Sequence, residues 1–113
     1  MKRIKPDEKL RRRPCLVTAL TCACGKPKGT ALIKSDGYAT LGSANRWIRE
    51  NVKVERRINF RRGERPKLKD LHLDGRAVVC VLGHYLFLDH ETYWSFFRNS
   101  DDEVVTVWVL EEV

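Results

Sequence analysis

Two residues in this chain have the type and the setting that a thiol nucleophile needs. Cys15 stands at the start of an apolar run, Pro14-Cys15-Leu16-Val17-Thr18-Ala19-Leu20-Thr21-Cys22-Ala23-Cys24-Gly25. His84 follows Gly83 and heads a second apolar run, His84-Tyr85-Leu86-Phe87-Leu88. A thiol attacks a carbonyl carbon as the thiolate, and its pKa falls at a helix N-terminus and beside an imidazolium. A histidine within reach acts as the base, and a third polar group holds its ring in place. Cys15 has the helix start by position, and His84 supplies the imidazole if its strand packs against that helix.

The elements that must position these residues are legible from pattern and punctuation. Pro14 suits a first helical turn, where its missing N–H costs nothing. The helix is predicted over Cys15 to Cys24, with Gly25 as its left-handed terminator and Pro27 blocking continuation. Its apolar residues cover nearly every face, which predicts a central helix packed on more than one side. Lys26 to Gly42 reads as loop with a short strand at Thr30–Lys34 and a turn at Ser35-Asp36-Gly37. Ser43 is the expected N-cap of a second helix from Ala44 to about Val52, with Ala44, Trp47, Ile48 and Val52 on one face. Val54 to Phe60 reads as a weak strand, and Lys67 to Leu73 as a helical turn. The remainder reads as a β-meander: Ala77–Val81, a tight Leu82-Gly83 turn, His84–Leu88, Tyr93–Phe97 and Glu103–Leu110. Helices first and an antiparallel meander last make an α+β domain over residues 14–113, preceded by a basic flexible arm at 1–13.

Pairing across the meander names the third group. If Leu88 pairs with Tyr93, His84 falls opposite Phe97, and Asn99 becomes a diagonal neighbour on the same face. Ser95 lies on that face as well. Asp89 sits at the turn and points to the opposite face.

These residues together resemble the papain-like cysteine peptidase superfamily, especially its small bacterial and phage members and the bacteriocin-processing peptidases. The carriers are the Cys15-to-Pro27 segment, Gly83-His84-Tyr85-Leu86 and Asn99-Ser100. The resemblance implies a papain-like fold, with Cys15 as nucleophile, His84 as general base and Asn99 as orienting group. It also implies a peptide or protein substrate and cleavage or transfer at an amide or related acyl bond, with no cofactor. The chain departs from that pattern in containing no Gln, the residue that usually binds the oxyanion. The Cys15 backbone N–H, with Lys9 or Arg12, is the substitute that the sequence offers.

Composition supplies an alternative of a different class. The 113 residues carry a net charge of +7, unevenly spread. Seven Lys/Arg lie in residues 1–13 and ten in residues 45–70, while the last fifteen residues hold five acids and no base. Arg56, Arg57, Arg61, Arg62, Arg65, Lys67 and Lys69 would contact phosphates without reading sequence, and Tyr93, Trp94, Phe96 and Phe97 would stack on single-stranded bases. The same basic face would also hold an acidic protein partner, as an inhibitor or effector without catalysis. A zinc site from Cys22, Cys24, Cys80 and His84 is disfavoured, because a helical Cys-x-Cys points its thiols in different directions. No apolar stretch is long enough to span a bilayer, and no signal-peptide run follows the basic N-terminus. The expectation is a cytoplasmic protein with free thiols and no metal.

Overall fold

In a computed structural model, residues 1–24 and 41–112 are described. Gly25 and the strand and turn expected within Lys26–Gly42 lie in the remaining stretch, outside the described residues up to position 40. The described chain is an α+β fold of two α-helices and a six-stranded mixed sheet. The strands are β1 (Lys2–Ile4), β2 (Val54–Asn59), β3 (Arg76–Val81), β4 (His84–Asp89), β5 (Thr92–Trp94) and β6 (Val104–Leu110). The helices are α1 (Cys15–Cys24) and α2 (Leu41–Asn51). The order across the sheet is β1-β5-β4-β3-β6-β2.

The first helix occupies the range its apolar run predicts. The Thr18 N–H donates to the Pro14 carbonyl at 3.1 Å, so Pro14 closes the first turn. Leu16, Val17, Thr18, Ala19 and Leu20 are buried in unbroken succession, which only a helix enclosed on several sides allows. At its other end the Arg76 guanidinium, 2.5 Å from the Ala23 carbonyl, satisfies a terminal acceptor and lies over the Phe87 ring. The second helix begins at Leu41, ahead of the expected Ser43 cap. Ala44, Trp47 and Ile48 form its buried face, and Val52 packs just beyond its last turn.

Two apolar clusters lie on opposite faces of the sheet. One joins α1 and α2 to Val78, Cys80, Tyr85, Phe87, Trp108 and Leu110. The other joins Val79, Val81, Leu86, Leu88, Tyr93 and Val107 to Leu68 and Leu71 from the segment before β3. The short 3-10 turn Leu68–Asp70 thus closes the second face.

Three features of the sheet differ from the sequence expectation, and each bears on the site. The expected flexible arm contributes β1, which runs parallel to β5 with Lys2 opposite Thr92 and Ile4 opposite Trp94. Its basic residues other than Arg3 are exposed, but its backbone completes the edge that β5 would otherwise leave open. The four C-terminal strands do not form a simple meander, because β6 crosses over to pair with β3 rather than β5. Of its seven residues only Val105 is not buried, and a strand apolar on both faces belongs at an interior position. Finally, β5 stops at Trp94, so Ser95, Phe96 and Phe97 leave the ladder. The predicted Leu88–Tyr93 pairing is present.

Candidate active site

Gly83 sets the site's geometry. Val81 pairs with His84 across a two-residue Leu82-Gly83 turn, and Gly83 takes φ 76°, a left-handed conformation that suits glycine. The turn places His84 at the head of β4, beside the point where β5 ends. A cleft of about 270 Å³ opens there. Cys15 and Thr18 line it from α1, His84 from β4, and Trp94, Ser95 and Phe97 from the end of β5. The cleft therefore brings Cys15 and His84, 69 positions apart in sequence, to one concavity.

The histidine wall is built from hydrogen bonds. His84 Nε2 lies 3.0 Å from Ser95 Oγ. The Ser95 hydroxyl donates to Asn99 Oδ1 at 2.6 Å and accepts from the Phe97 N–H at 3.1 Å. Asn99 Nδ2 donates to Asp102 Oδ2 at 2.7 Å. Ser95 and Asn99 are both buried, so each lost partner would leave a polar atom without water. The Phe97 ring packs edge-on against the imidazole, with centroids 5.4 Å apart, and is itself largely exposed at the cleft mouth.

Distant backbone pins this network. The Ser95 N–H donates to the Ile4 carbonyl, and Arg3 Nη1 donates to the Phe96 carbonyl at 3.2 Å. The Asn99 N–H donates to the Tyr93 hydroxyl at 3.2 Å. The loop from Asn99 to Asp102 is held by Leu68 and Lys69, whose N–H groups donate to the Asp102 and Ser100 carbonyls. The N-terminal strand and the 3-10 turn, more than 60 positions apart in sequence, thus both serve the site.

The cysteine wall is governed by burial. Burial pushes the Cys15 thiol up from its ordinary value, and the backbone N–H groups of Tyr85, Leu16 and Cys15 pull it part of the way back. Leu16 and Cys15 belong to a helix start, whose first N–H groups lack intrahelical partners, whereas Tyr85 acts from β4. The sequence argument expects a lowered thiol, and here desolvation outweighs the helix terminus. Burial likewise pushes the His84 imidazole down, with the Asp102 carboxylate acting in the opposite direction. At neutral pH the resting pair is therefore thiol and neutral imidazole.

The three predicted site residues are not all in mutual contact. Asn99 reaches His84 only through Ser95, because β5 ends early and Asn99 turns in toward Asp102. His84 spends Nε2 on Ser95, and no hydrogen bond joins it to Cys15 among the described residues. Alternation along β4 explains this. Tyr85 and Phe87 point to the helix-covered face, whereas His84 falls with Leu86 and Leu88 on the other. The two residues line one cleft because it wraps the end of the hairpin. The basic groups on its rim are Arg11 and Arg13, not the expected Lys9 and Arg12. Arg11 is ion-paired with Glu8 and lies over the Phe96 ring.

Ser95 and Asp102 are the members whose roles sequence reasoning missed. Extending the Leu88–Tyr93 register by two residues puts Ser95 diagonal to His84, and that was the available signal. Asp102 is placed by a local turn, in which its N–H donates to the Asn99 carbonyl at 3.0 Å.

The basic group is dispersed. Arg56, Arg61, Arg62 and Lys67 are exposed, Arg65 is half-buried, and Lys69 pairs with Asp101 at 2.8 Å. Arg57 lies over the Trp108 ring and donates to Asn59. Tyr93 is buried and Trp94 packs on Phe87, so neither forms an open stacking platform. Cys22 and Cys24 lie at the opposite end of α1 from Cys15, and burial raises Cys22 and Cys80 to about 11 each. Among the described residues no three His, Cys, Asp or Glu side chains converge as metal ligands would. No helix among them is long and apolar enough to cross a membrane.

No protein family, curated protein or solved structure matches this chain.

Proposed function

We propose that this chain is a cysteine-dependent hydrolase or acyltransferase of papain-like kind, acting on an amide or related acyl bond. The observation that carries the reading is one cleft lined by a helix-start cysteine and by a histidine anchored through Ser95 to Asn99. Since the resting pair is neutral, the thiol is activated by general base rather than as a stored thiolate. His84 takes the Cys15 proton as Sγ bonds to the carbonyl carbon and the carbonyl π pair moves to oxygen. Backbone N–H groups at the start of α1 would stabilise that oxygen. Collapse expels the amine, which takes the proton from His84 and leaves a thioester. Water, deprotonated by His84, then releases the acid and restores the thiol. Catalytic hydrogen bonds are often long in unliganded sites and tighten around substrate, so the Cys15–His84 bond belongs to the occupied cleft.

The test is acyl transfer from a peptide active ester, followed by peptide mass spectrometry at pH 7.5. Acylation should concentrate on Cys15, although Cys24 is the exposed thiol, and should disappear in His84→Ala. Labelling that follows exposure, with Cys24 first and no dependence on His84, would sink the catalytic reading.

The alternative of phosphate or acidic-protein binding draws on exposed Arg56, Arg61, Arg62 and Lys67. Arg56 lies on the edge strand β2, where charge also deters strand-to-strand association. Steep loss of oligonucleotide binding with rising salt would favour that alternative.

A further inference from the structure

We infer that Asp102 is a positioning residue that sets the direction of the hydrogen-bond chain to His84, holding the imidazole as the Nε2–H tautomer with Nδ1 as the free base.

The direction follows from donor and acceptor inventories. A carboxylate can only accept, so the Asn99 atom 2.7 Å from Asp102 Oδ2 must be the amide nitrogen. That orients the Asn99 amide and presents Oδ1, which can only accept, to Ser95. The Ser95 hydroxyl has one proton, and it is committed to Asn99 Oδ1 at 2.6 Å. One Ser95 lone pair takes the Phe97 N–H, which cannot reverse. The remaining interaction, at 3.0 Å to His84 Nε2, must therefore be donated by the imidazole. Nδ1 is left with its lone pair. Each link has one allowed sense because the terminal group has no proton to give. The second nitrogen of a histidine sets which tautomer is present, and here that setting is made three residues away from the ring.

The same logic distinguishes orientation from mere support. Asp102→Asn is nearly isosteric and keeps a hydrogen-bond partner for Asn99. An asparagine at 102 can donate as well as accept, so the chain can also run in reverse. Asn99 would then donate to Ser95, and Ser95 to a bare Nε2, moving the ring proton to Nδ1. A residue that only braced the loop would leave the tautomer unchanged in this variant.

The experiment is long-range ¹H–¹⁵N correlation of the imidazoles in the full chain at pH 7.5, assigned to His84 by loss of its signals in His84→Ala. Native protein is expected to show a single Nε2–H form. Asp102→Asn is expected to lose that single form and gain an Nδ1–H population. A native ring protonated on Nδ1 overturns the inference without any variant. A native Nε2–H form that persists unmixed in Asp102→Asn, with the amide fingerprint of the fold retained, overturns the role of Asp102. The readout needs no reactive thiol. The inference can therefore fail while Cys15 acylation succeeds, and acylation can fail while the tautomer stands.

Discussion

The cleft and the basic β2 edge both carry polar side chains, yet only one of them is organised. From the cleft wall inward, His84, Ser95, Asn99 and Asp102 are joined in succession at 3.0, 2.6 and 2.7 Å, with the two middle members buried. Along β2 and the loop after it, Arg56, Arg61 and Arg62 extend into solvent, and Arg57 is the one that both stacks and hydrogen-bonds. A polar group removed from water must find a specific partner, and this demand turns residue identity into geometry. Exposed guanidinium groups face no such demand. Charge density alone drew attention to the β2 region, but constraint marks the cleft.

The comparison predicts a graded set of outcomes. Asn99→Ala should have the largest effect, about 2 kcal/mol of stability in urea unfolding, because it strands the Ser95 hydroxyl and removes the partner of Asp102. A change below a few tenths would mean that the network is looser than its distances imply. Gly83→Ala comes next, at about 1 kcal/mol, from forcing a side chain into left-handed backbone. No atom lies within 4 Å of the added methyl, so the cost is conformational. It should be accompanied by a shifted His84 ring resonance, and stability loss without that shift would detach the turn from the site.

Acid titration should sharpen the contrast further. Burial lowers His84 in the folded chain below its ordinary 6.5, so the unfolded chain binds the extra proton first. Stability is then complete above about 6.5 and falls as pH drops toward the folded value. His90, raised by its hydrogen bond to Asp89, acts in the opposite sense, but it is exposed and screened. The difference between native protein and His84→Ala between pH 7 and 5 isolates the His84 part, and native should lose stability more steeply. Parallel curves would contradict that account. The smallest effects belong to the edge, where Arg61→Ala and Arg62→Ala should each change stability by less than about 0.5 kcal/mol. A larger loss in either would show that the β2 edge is also constrained.

Sequence by itself determined the local elements and the pairing nearest the site. The Cys15–Cys24 helix follows from Pro14 and an all-round apolar run, and the strands from Arg76 to Asp89 follow from dense β-branched and aromatic residues around Gly83. The Leu88–Tyr93 register follows from the turn between them. These depend on neighbours a few residues away, which a linear reading contains. Tertiary structure alone decided the rest. The sheet recruited β1 because an open β5 edge needed a partner for its backbone groups. It drew β6 to the interior because that strand is apolar on both faces. It ended β5 at Trp94, so that Ser95 came between His84 and Asn99. And it half-buried Cys15, enough for desolvation to override the helix terminus. Edge satisfaction, two-sided burial and desolvation are properties of the packed whole, and no local pattern encodes them.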